Sequence, residues 1–175
     1  MKSLLVMGYS SFELGIFSEK DPKLEIIKKA IHQRLQTYLD DGLEWLIFTG
    51  NLGFEYWVLQ EAKKYKEEYP LNLGTIFSFE TQGQNWNESN QIKLSAFKHV
   101  DFVKYCFPSY ESSAQFRAHQ QFLIENTDAA LLLYDEENET KLSFFIEKMR
   151  QWTDYPLDFI GFEELQEIAE NNFEE

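Results

Sequence analysis

The chain has 175 residues, of which 43% are hydrophobic, 30 are acidic and 16 are basic, for a net charge of −14. This composition indicates one globular domain and excludes a disordered chain or an overall basic surface for nucleic acid. One cysteine, Cys106, excludes an internal disulfide and a multi-cysteine metal site. With no apolar run of about 18 residues and no signal-peptide cleavage pattern, we expect a cytoplasmic protein without a membrane span.

The negative charge is concentrated in the C-terminal third. Residues 1–124 contain 13 Lys/Arg and 15 Asp/Glu, whereas residues 125–175 contain 3 and 15. A small anionic ligand would be repelled by the second segment and tolerated by the first. We predict a single domain over residues 1–169, followed by an acidic, frayed tail at residues 170–175.

Six short apolar runs each have the length of one strand. Most of them lack a strict alternation of apolar and polar residues, as expected for strands that are covered on both faces. The predicted strands are Leu4–Met7, Trp45–Phe48, Thr75–Phe79, Phe102–Phe107, Ala129–Tyr134 and Leu157–Ile160.

Amphipathic segments separate the predicted strands, with apolar residues at every third or fourth position. Strand and helix alternate at intervals of about 30 residues, which is typical of right-handed βαβ units. We therefore predict an α/β fold, a doubly wound, mostly parallel sheet of about six strands with helices on both faces. The predicted helices span residues 24–39, 56–69, 87–99, 112–126, 142–152 and 162–171.

The loop after the second predicted strand is the strongest candidate for a ligand site, because ligands of such sheets bind at the carboxyl ends of strands. It contains Gly50, Asn51 and Gly53, and glycine permits a positive φ and a close approach of the ligand. The helix that follows would present unpaired N–H groups to a phosphate. Glu55 would either cap this helix or accept hydrogen bonds from ribose hydroxyls. An ordinary tight turn explains the two glycines equally well.

The loop after the first predicted strand contains Gly8, Tyr9 and Ser10. It resembles a serine hydrolase elbow only superficially, because Phe12 occupies the position of the second glycine in G-x-S-x-G. We therefore expect Ser10 to hydrogen-bond a phosphate or the loop itself.

Two later connections supply aromatic and basic candidates. Trp86 lies in a long polar segment, where its ring would stack on a base or sugar or fold back onto the domain. Tyr110 and Arg117 follow the fourth predicted strand, and they would contact a base and a phosphate respectively. An ion pair of Arg117 with Glu111 or Glu125 is the alternative.

Other chemistries have little support in the residues. His32, His99 and His119 lie on predicted helices without metal-ligand spacing, so we expect no metal and place them at the surface or the edge of the core. Cys106 is expected to be a small buried hydrophobe. The chain has neither a Walker A motif nor a strict G-x-G-x-x-G motif.

Several blocks of the sequence resemble the YpsA family of Gram-positive bacteria. They are residues 8–10, 12–17, 42–45, 50–57, 86–88 and 115–117, and the pair Tyr134-Asp135. This family is similar to the superfamily that contains the lonely-guy cytokinin-activating enzymes and DprA. The resemblance implies a Rossmann-like fold that binds nucleotides or nucleotide-derived ligands, and it links the family to the regulation of cell division.

The same resemblance implies ligand-binding roles for Gly8, Ser10, Gly53 and Glu55. It does not carry over the phosphoribohydrolase activity of the cytokinin-activating enzymes, which depends on a second motif, P-G-G-x-G-T-x-x-E. After the fifth predicted strand this chain has Y-D-E-E-N-E-T at residues 134–140 instead. Acidic residues in place of phosphate-binding glycines argue against that catalysis and leave binding intact.

Three functions follow as hypotheses. The first is a sensor that holds an ADP-ribose-like ligand, with the glycine loops on phosphate, Glu55 on ribose, and Trp86 or Tyr110 on the base. The alternative is a nucleotide hydrolase in which Glu55 is the acid–base residue. DNA binding, as in DprA, is disfavoured by the net charge. We favour the sensor, with no certain cofactor, a cell-division protein as its partner, and a homo-oligomer if aromatic residues are exposed.

Overall fold

The computed structural model describes residues 2–174, which form a six-stranded sheet with helices on both faces. The strand order is β4-β3-β2-β1-β5-β6, and every pair of neighbours is parallel. The predicted α/β, doubly wound sheet is therefore confirmed. The strands are β1 (Ser3–Gly8), β2 (Trp45–Phe48), β3 (Asn72–Phe79), β4 (Phe102–Phe107), β5 (Ala129–Leu133) and β6 (Leu157–Ile160).

The helices occupy most of the connections between strands. A short first helix, absent from the sequence prediction, follows β1, and the third helix ends four residues before the predicted end. The helices are α1 (Ser11–Leu14), α2 (Pro22–Asp40), α3 (Phe54–Tyr65), α4 (Glu88–Lys98), α5 (Ala114–Glu125), α6 (Leu142–Arg150) and α7 (Phe162–Glu174).

The end of the chain bears on two expectations from the sequence. Helix α7 continues to Glu174, and residue 175 lies outside the described residues, so a frayed tail at residues 170–175 stays a prediction. Across residues 2–174, no helix combines the length and the apolar character that crossing a membrane requires.

The order of the strands determines where the sheet leaves a crevice. The chain runs outward from β1 to β4 and then returns to place β5 on the other side of β1. Because βαβ crossovers are right-handed, this reversal puts α2, α3 and α4 on one face and α5 and α6 on the other. The carboxyl ends of β1 and β5 thus form the switch point of the sheet, where such folds leave a crevice.

Helix α2 illustrates how the sequence specifies an element. Asp21 caps it by accepting a hydrogen bond from the Lys23 N–H at 2.9 Å, and Pro22 occupies the first turn, where no N–H is needed. Its apolar side chains recur at helical spacing and pack on the sheet. The buried residues of this helix are Leu24, Ile27, Ala30, Ile31, Leu35 and Leu39.

A half-buried ionic network joins α2 to the far edge of the sheet. The Arg34 guanidinium donates to the Asp158 carboxylate at 3.1 Å and to both oxygens of Glu164 at 2.7 and 2.9 Å. The Tyr38 hydroxyl donates to Asp158 at 2.6 Å. The network therefore holds α2, β6 and α7 together through one planar cation that satisfies two carboxylates.

Replacing Arg34 with Met is expected to destabilise the fold by about 2 kcal/mol, because two half-buried carboxylates lose their counter-ion while water still screens part of the effect. Urea unfolding measures the loss. The matched control is Arg150→Met, whose partners Glu136 and Glu147 are exposed, and it should cost less than about 0.5 kcal/mol. Equal losses in the two variants would contradict the role of the network.

Candidate functional site

A cleft of about 840 Å³ opens at the carboxyl ends of β1, β2 and β3, between α5 and the start of α6. Its volume lies within the range of small-molecule sites. The lining combines an apolar wall with a group of polar side chains, and we call it the switch-point cleft. Its lining residues are Met7, Gly8, Glu13, Thr49, Asn51, Glu55, Ser78, Phe79, Gln82, Phe116, His119, Gln120, Leu123, Thr140, Lys141, Leu142 and Phe145.

Glu55 holds the loop after β2 in place. Its side chain is 2% exposed, and one carboxylate oxygen accepts hydrogen bonds from the N–H groups of Thr49 at 2.6 Å and Gly50 at 3.2 Å. The other oxygen accepts the Thr49 hydroxyl at 2.5 Å. Burial raises the pKa of Glu55 to about 7, although these donors favour the charged form. Glu55 lines the cleft, and both of its carboxylate oxygens accept hydrogen bonds from the protein itself.

The two glycines of this loop allow close contacts between parts of the protein itself. Gly53 has a φ of +94°, and a Cβ there would lie 2.6 Å from the Tyr9 carbonyl oxygen. The adjacent Phe54 N–H donates to that same oxygen at 3.1 Å. Gly50 also has a positive φ, and a Cβ there would overlap the Phe77 ring. Gly53 therefore lets the loops after β1 and β2 meet, and Gly50 lets the loop after β2 pack against Phe77 of β3.

Tyr9 is buried and links the loop after β1 to the loop after β5. Its hydroxyl accepts the Asp135 N–H at 2.8 Å and lies 2.8 Å from the Asn138 carbonyl oxygen, to which it donates. Its ring stacks on Tyr134 at a centroid distance of 5.4 Å. Burial is the main cause that raises the pKa of Tyr9. This side chain fixes the loop that follows β5.

Ser10 caps the four-residue helix α1. Its hydroxyl accepts the Glu13 N–H at 3.1 Å, and its own N–H donates to the Glu13 carboxylate at 2.8 Å. This reciprocal pair is a capping box. Ser10 lines a second cleft, of about 480 Å³, on the face of the sheet that carries α2, α3 and α4.

The three candidates from later connections, Trp86, Tyr110 and Arg117, differ in their exposure to solvent. Trp86 is half-buried and packs against the turn at Gly83. Tyr110 is exposed, and its ring lies 5.7 Å from that of Phe116 at the cleft. Arg117 is exposed and, within residues 2–174, forms no ion pair with Glu111 or Glu125.

The structure thus brings only part of the predicted set into one place. Gly8, Asn51 and Glu55 line the switch-point cleft, with Tyr110 beside it. Ser10 lies in the second cleft. Ligand binding by any of these residues stays a prediction. The remaining members, namely Tyr9, Gly50, Gly53, Trp86 and Arg117, support the fold or lie on its surface, outside the linings described here.

Two of the polar lining residues that were not predicted as site residues, Ser78 and His119, form a hydrogen-bonded pair. His119, expected at the surface or core edge, is 7% exposed, and its Nε2 lies 2.7 Å from the Ile76 carbonyl oxygen. Its Nδ1 lies 3.1 Å from the Ser78 hydroxyl. Burial lowers the pKa of His119. Ser78 and His119 are 41 positions apart, so no local motif could have joined them.

The parallel sheet, its switch point and the cleft there define an α/β protein of the Rossmann-like class. Within that class, the model of the YspA SLOG family matches residues 4–165, and the chain belongs to this family. The resemblance to the YpsA family that the sequence blocks carry is confirmed.

The chain is also similar to curated proteins over nearly its whole length. It is 61% identical over 170 residues to the UPF0398 protein YfdB of Lactococcus lactis subsp. lactis, and the match covers 97% of this chain and 98% of that relative. It is 58% identical over 168 residues to a UPF0398 protein of Streptococcus thermophilus, with 96% and 98% covered.

Replacing Gly53 with Ala should cost more than about 3 kcal/mol, because the new Cβ must displace the Tyr9 backbone in addition to straining a positive φ. Gly42→Ala is the matched control: Gly42 has a φ of +90° and nothing within 4 Å of a Cβ. It should cost about 1 kcal/mol. Chemical unfolding compares the two, and similar losses would show that the contact between the two loops is not tight.

Glu55→Gln is expected to remove a pH dependence of folding. The folded-state pKa of about 7 exceeds the ordinary value of 4.5, so the folded state binds more protons than the unfolded state between these values. Protonation of Glu55 therefore stabilises the folded state fully below pH 4.5. As the pH rises through 7, this contribution of about 3 kcal/mol to the free energy of unfolding is lost. In urea unfolding at several pH values between 4.5 and 7, the free energy of unfolding of wild type should fall by about 3 kcal/mol relative to that of the variant. A constant difference between the two proteins would contradict the expectation.

Proposed function

We propose that the protein binds a nucleotide or nucleotide-derived ligand, of the ADP-ribose type, in the switch-point cleft and acts as a sensor or regulator. The observation that carries the proposal is a cleft of about 840 Å³ at the carboxyl ends of β1, β2 and β3, next to the switch point of a Rossmann-like sheet. Folds of this class bind nucleotides at that position. Membership of the SLOG family supports the same ligand class.

The aromatic end of the cleft suits a base. Phe79 and Phe116 line it, and Phe116 is 45% exposed. Tyr110 extends this surface, with its ring 5.9 Å from Phe79 and 5.7 Å from Phe116. A flat aromatic ligand that stacks there would cover apolar surface left open to water. We therefore assign the base to Phe116, with Tyr110 beside it.

The start of α6 suits a phosphate. Thr140, Lys141 and Leu142 line the cleft where this nine-residue helix begins. A helix N-terminus carries partial positive charge, and Lys141 is the one Lys or Arg among the described lining residues. The exposed acids Glu136, Glu137 and Glu139 precede it in the chain. This mixture of charges favours a diphosphate sugar over a more highly charged triphosphate.

The position of α6 also connects ligand binding to an output. Its first residue, Leu142, lines the cleft, and Phe144, two residues further along, is 77% exposed. A ligand that orders the start of α6 would change how this apolar side chain is presented. We assign the contact with a partner to this helix, and a cell-division protein in the cytoplasm is the partner that the family resemblance suggests.

Catalysis by Glu55 is the alternative function, and its raised pKa of about 7 is the observation in its favour. However, both carboxylate oxygens accept short hydrogen bonds from Thr49. The sensor is therefore favoured. Chromatography of the ligand after incubation separates the two: a sensor returns it intact, whereas a hydrolase releases free base.

Calorimetry with ADP-ribose, ADP and ATP tests the proposal. Phe116→Ala should weaken binding by about 5-fold to 150-fold, because stacking on a base contributes roughly 1–3 kcal/mol. The matched control is Phe144→Ala, which removes an exposed ring outside the cleft lining and should leave the affinity unchanged. The proposal fails if wild type binds none of the three ligands, or if the two variants bind equally.

A further inference from the structure

Ser78 and His119 form a hydrogen-bonded pair whose proton positions follow from their surroundings. The Ile76 carbonyl oxygen can only accept, so the His119 Nε2 at 2.7 Å carries the hydrogen. The ring is 7% exposed, and burial keeps it in the neutral form. Its Nδ1 therefore has a free lone pair, and the Ser78 hydroxyl at 3.1 Å donates to it.

This order of donors and acceptors is that of an activated nucleophile. A hydroxyl donates to an imidazole, and the other imidazole nitrogen donates to an acceptor that orients the ring. Here the orienting acceptor is the Ile76 carbonyl of β3 rather than a carboxylate. Ser78 and His119 both line the switch-point cleft, so the pair is open to a bound molecule.

A second serine–histidine pair in the same chain shows that contact alone does not produce this arrangement. Ser95 and His99 lie on the surface near the end of α4, and the Ser95 hydroxyl is 3.3 Å from the His99 Nδ1. That same Nδ1 is 2.7 Å from the Ser95 carbonyl oxygen, so it carries the hydrogen. It cannot accept the serine proton, and the pair lies outside the cleft lining.

The rest of the lining supplies what an acyl-transfer site needs. Phe79, Leu123 and Phe145 form an apolar wall that suits an uncharged acyl group. The side-chain amides of Asn51 and Gln82 each donate one hydrogen to Thr49, at 3.1 Å in both cases. Each amide nitrogen carries a second hydrogen. These hydrogens are available to an oxygen that becomes negative during the reaction.

We propose that Ser78 is the nucleophile and His119 the general base of an acyl-transfer site that takes carboxylic esters with a small apolar acyl group. The Ser78 Oγ forms a bond to the acyl carbon, and its proton moves to the His119 Nδ1. The bond from that carbon to the alcohol oxygen breaks, and the departing alkoxide takes the proton from His119. Water then attacks the acyl carbon, and one of its protons moves to the His119 Nδ1. The bond from that carbon to the Ser78 Oγ breaks, Oγ takes the proton from His119, and the carboxylic acid leaves.

An ethoxy-fluorophosphonate probe tests this assignment on the full chain. Ser78 Oγ forms a bond to phosphorus, the phosphorus–fluorine bond breaks, fluoride leaves, and the serine proton passes to His119. Mass spectrometry should locate one adduct on Ser78, and Ser78→Ala should abolish it. His119→Gln should slow labelling about 100-fold or more, which is the range for loss of a general base. Ser95→Ala is the matched control and should label like wild type.

The dependence of the labelling rate on pH distinguishes a general base from a residue that only supports the structure. If His119 had only a structural role, its titration would not control the rate of labelling. Because burial holds the pKa of His119 below 6.5, labelling should be lost in acid and level off before neutral pH. Absence of an adduct on Ser78, an unchanged rate in His119→Gln, or a rate independent of pH would each overturn the proposal. The pH profile is measured on wild type, so it tests the role of His119 as general base even if His119→Gln fails to fold.

The proposal shares the cleft with the proposed nucleotide site but does not require a nucleotide. Labelling of Ser78 in a protein that binds no nucleotide would overturn the sensor function alone. Nucleotide binding without labelling would overturn the acyl-transfer site alone. Release of p-nitrophenol from p-nitrophenyl acetate, compared between wild type and Ser78→Ala, gives the corresponding turnover measurement. Equal rates in the two proteins would contradict the assignment.

Discussion

The cleft depends on one buried carboxylate. Glu55 lies in the first turn of α3 and accepts the N–H groups of Thr49 and Gly50 and the Thr49 hydroxyl. These direct hydrogen bonds place the end of β2 against the start of its own helix. The neighbouring Gly53 then meets the Tyr9 backbone, and the Tyr9 hydroxyl fixes the loop after β5. The loops after β1, β2 and β5 are thereby joined beside the cleft, and a change at Glu55 would affect all three.

The fold was predictable because its signals are local. Strand-length apolar runs, helical spacing and the strand–helix alternation specify a parallel sheet, and each predicted strand lies within or close to an observed one. The ends of the helices follow less closely from the sequence. Helix α3 ends at Tyr65 although Pro70 is the nearest sequence signal, since Tyr69 instead contacts α2 through Asp40 and Gln36. Those contacts form between residues about 30 positions apart, and no local pattern records them.

The candidate site was only partly predictable, and its glycines show why. A positive φ at Gly50 and Gly53 matches what the sequence indicates. However, the space that a missing Cβ leaves is used by Phe77 and by the Tyr9 backbone. A glycine that admits a ligand and one that admits another part of the protein have the same sequence signal. The pair of Ser78 and His119 was missed for the related reason that β3 and α5 bring it together only in the folded chain.

The distribution of charge gives the cleft two unlike ends. Residues 125–175 have 3 basic and 15 acidic side chains, yet Lys141 and the start of α6 lie within this segment and face the cleft. Lys141 and the N-terminus of α6 are therefore a small basic feature within an acidic segment that on the whole disfavours anions. Phosphate groups would be tolerated only at that point, with the uncharged remainder of a ligand lying along Phe79 and Phe116. A small apolar acyl group meets no such restriction beside Ser78, so both proposals fit one cleft that accepts little negative charge.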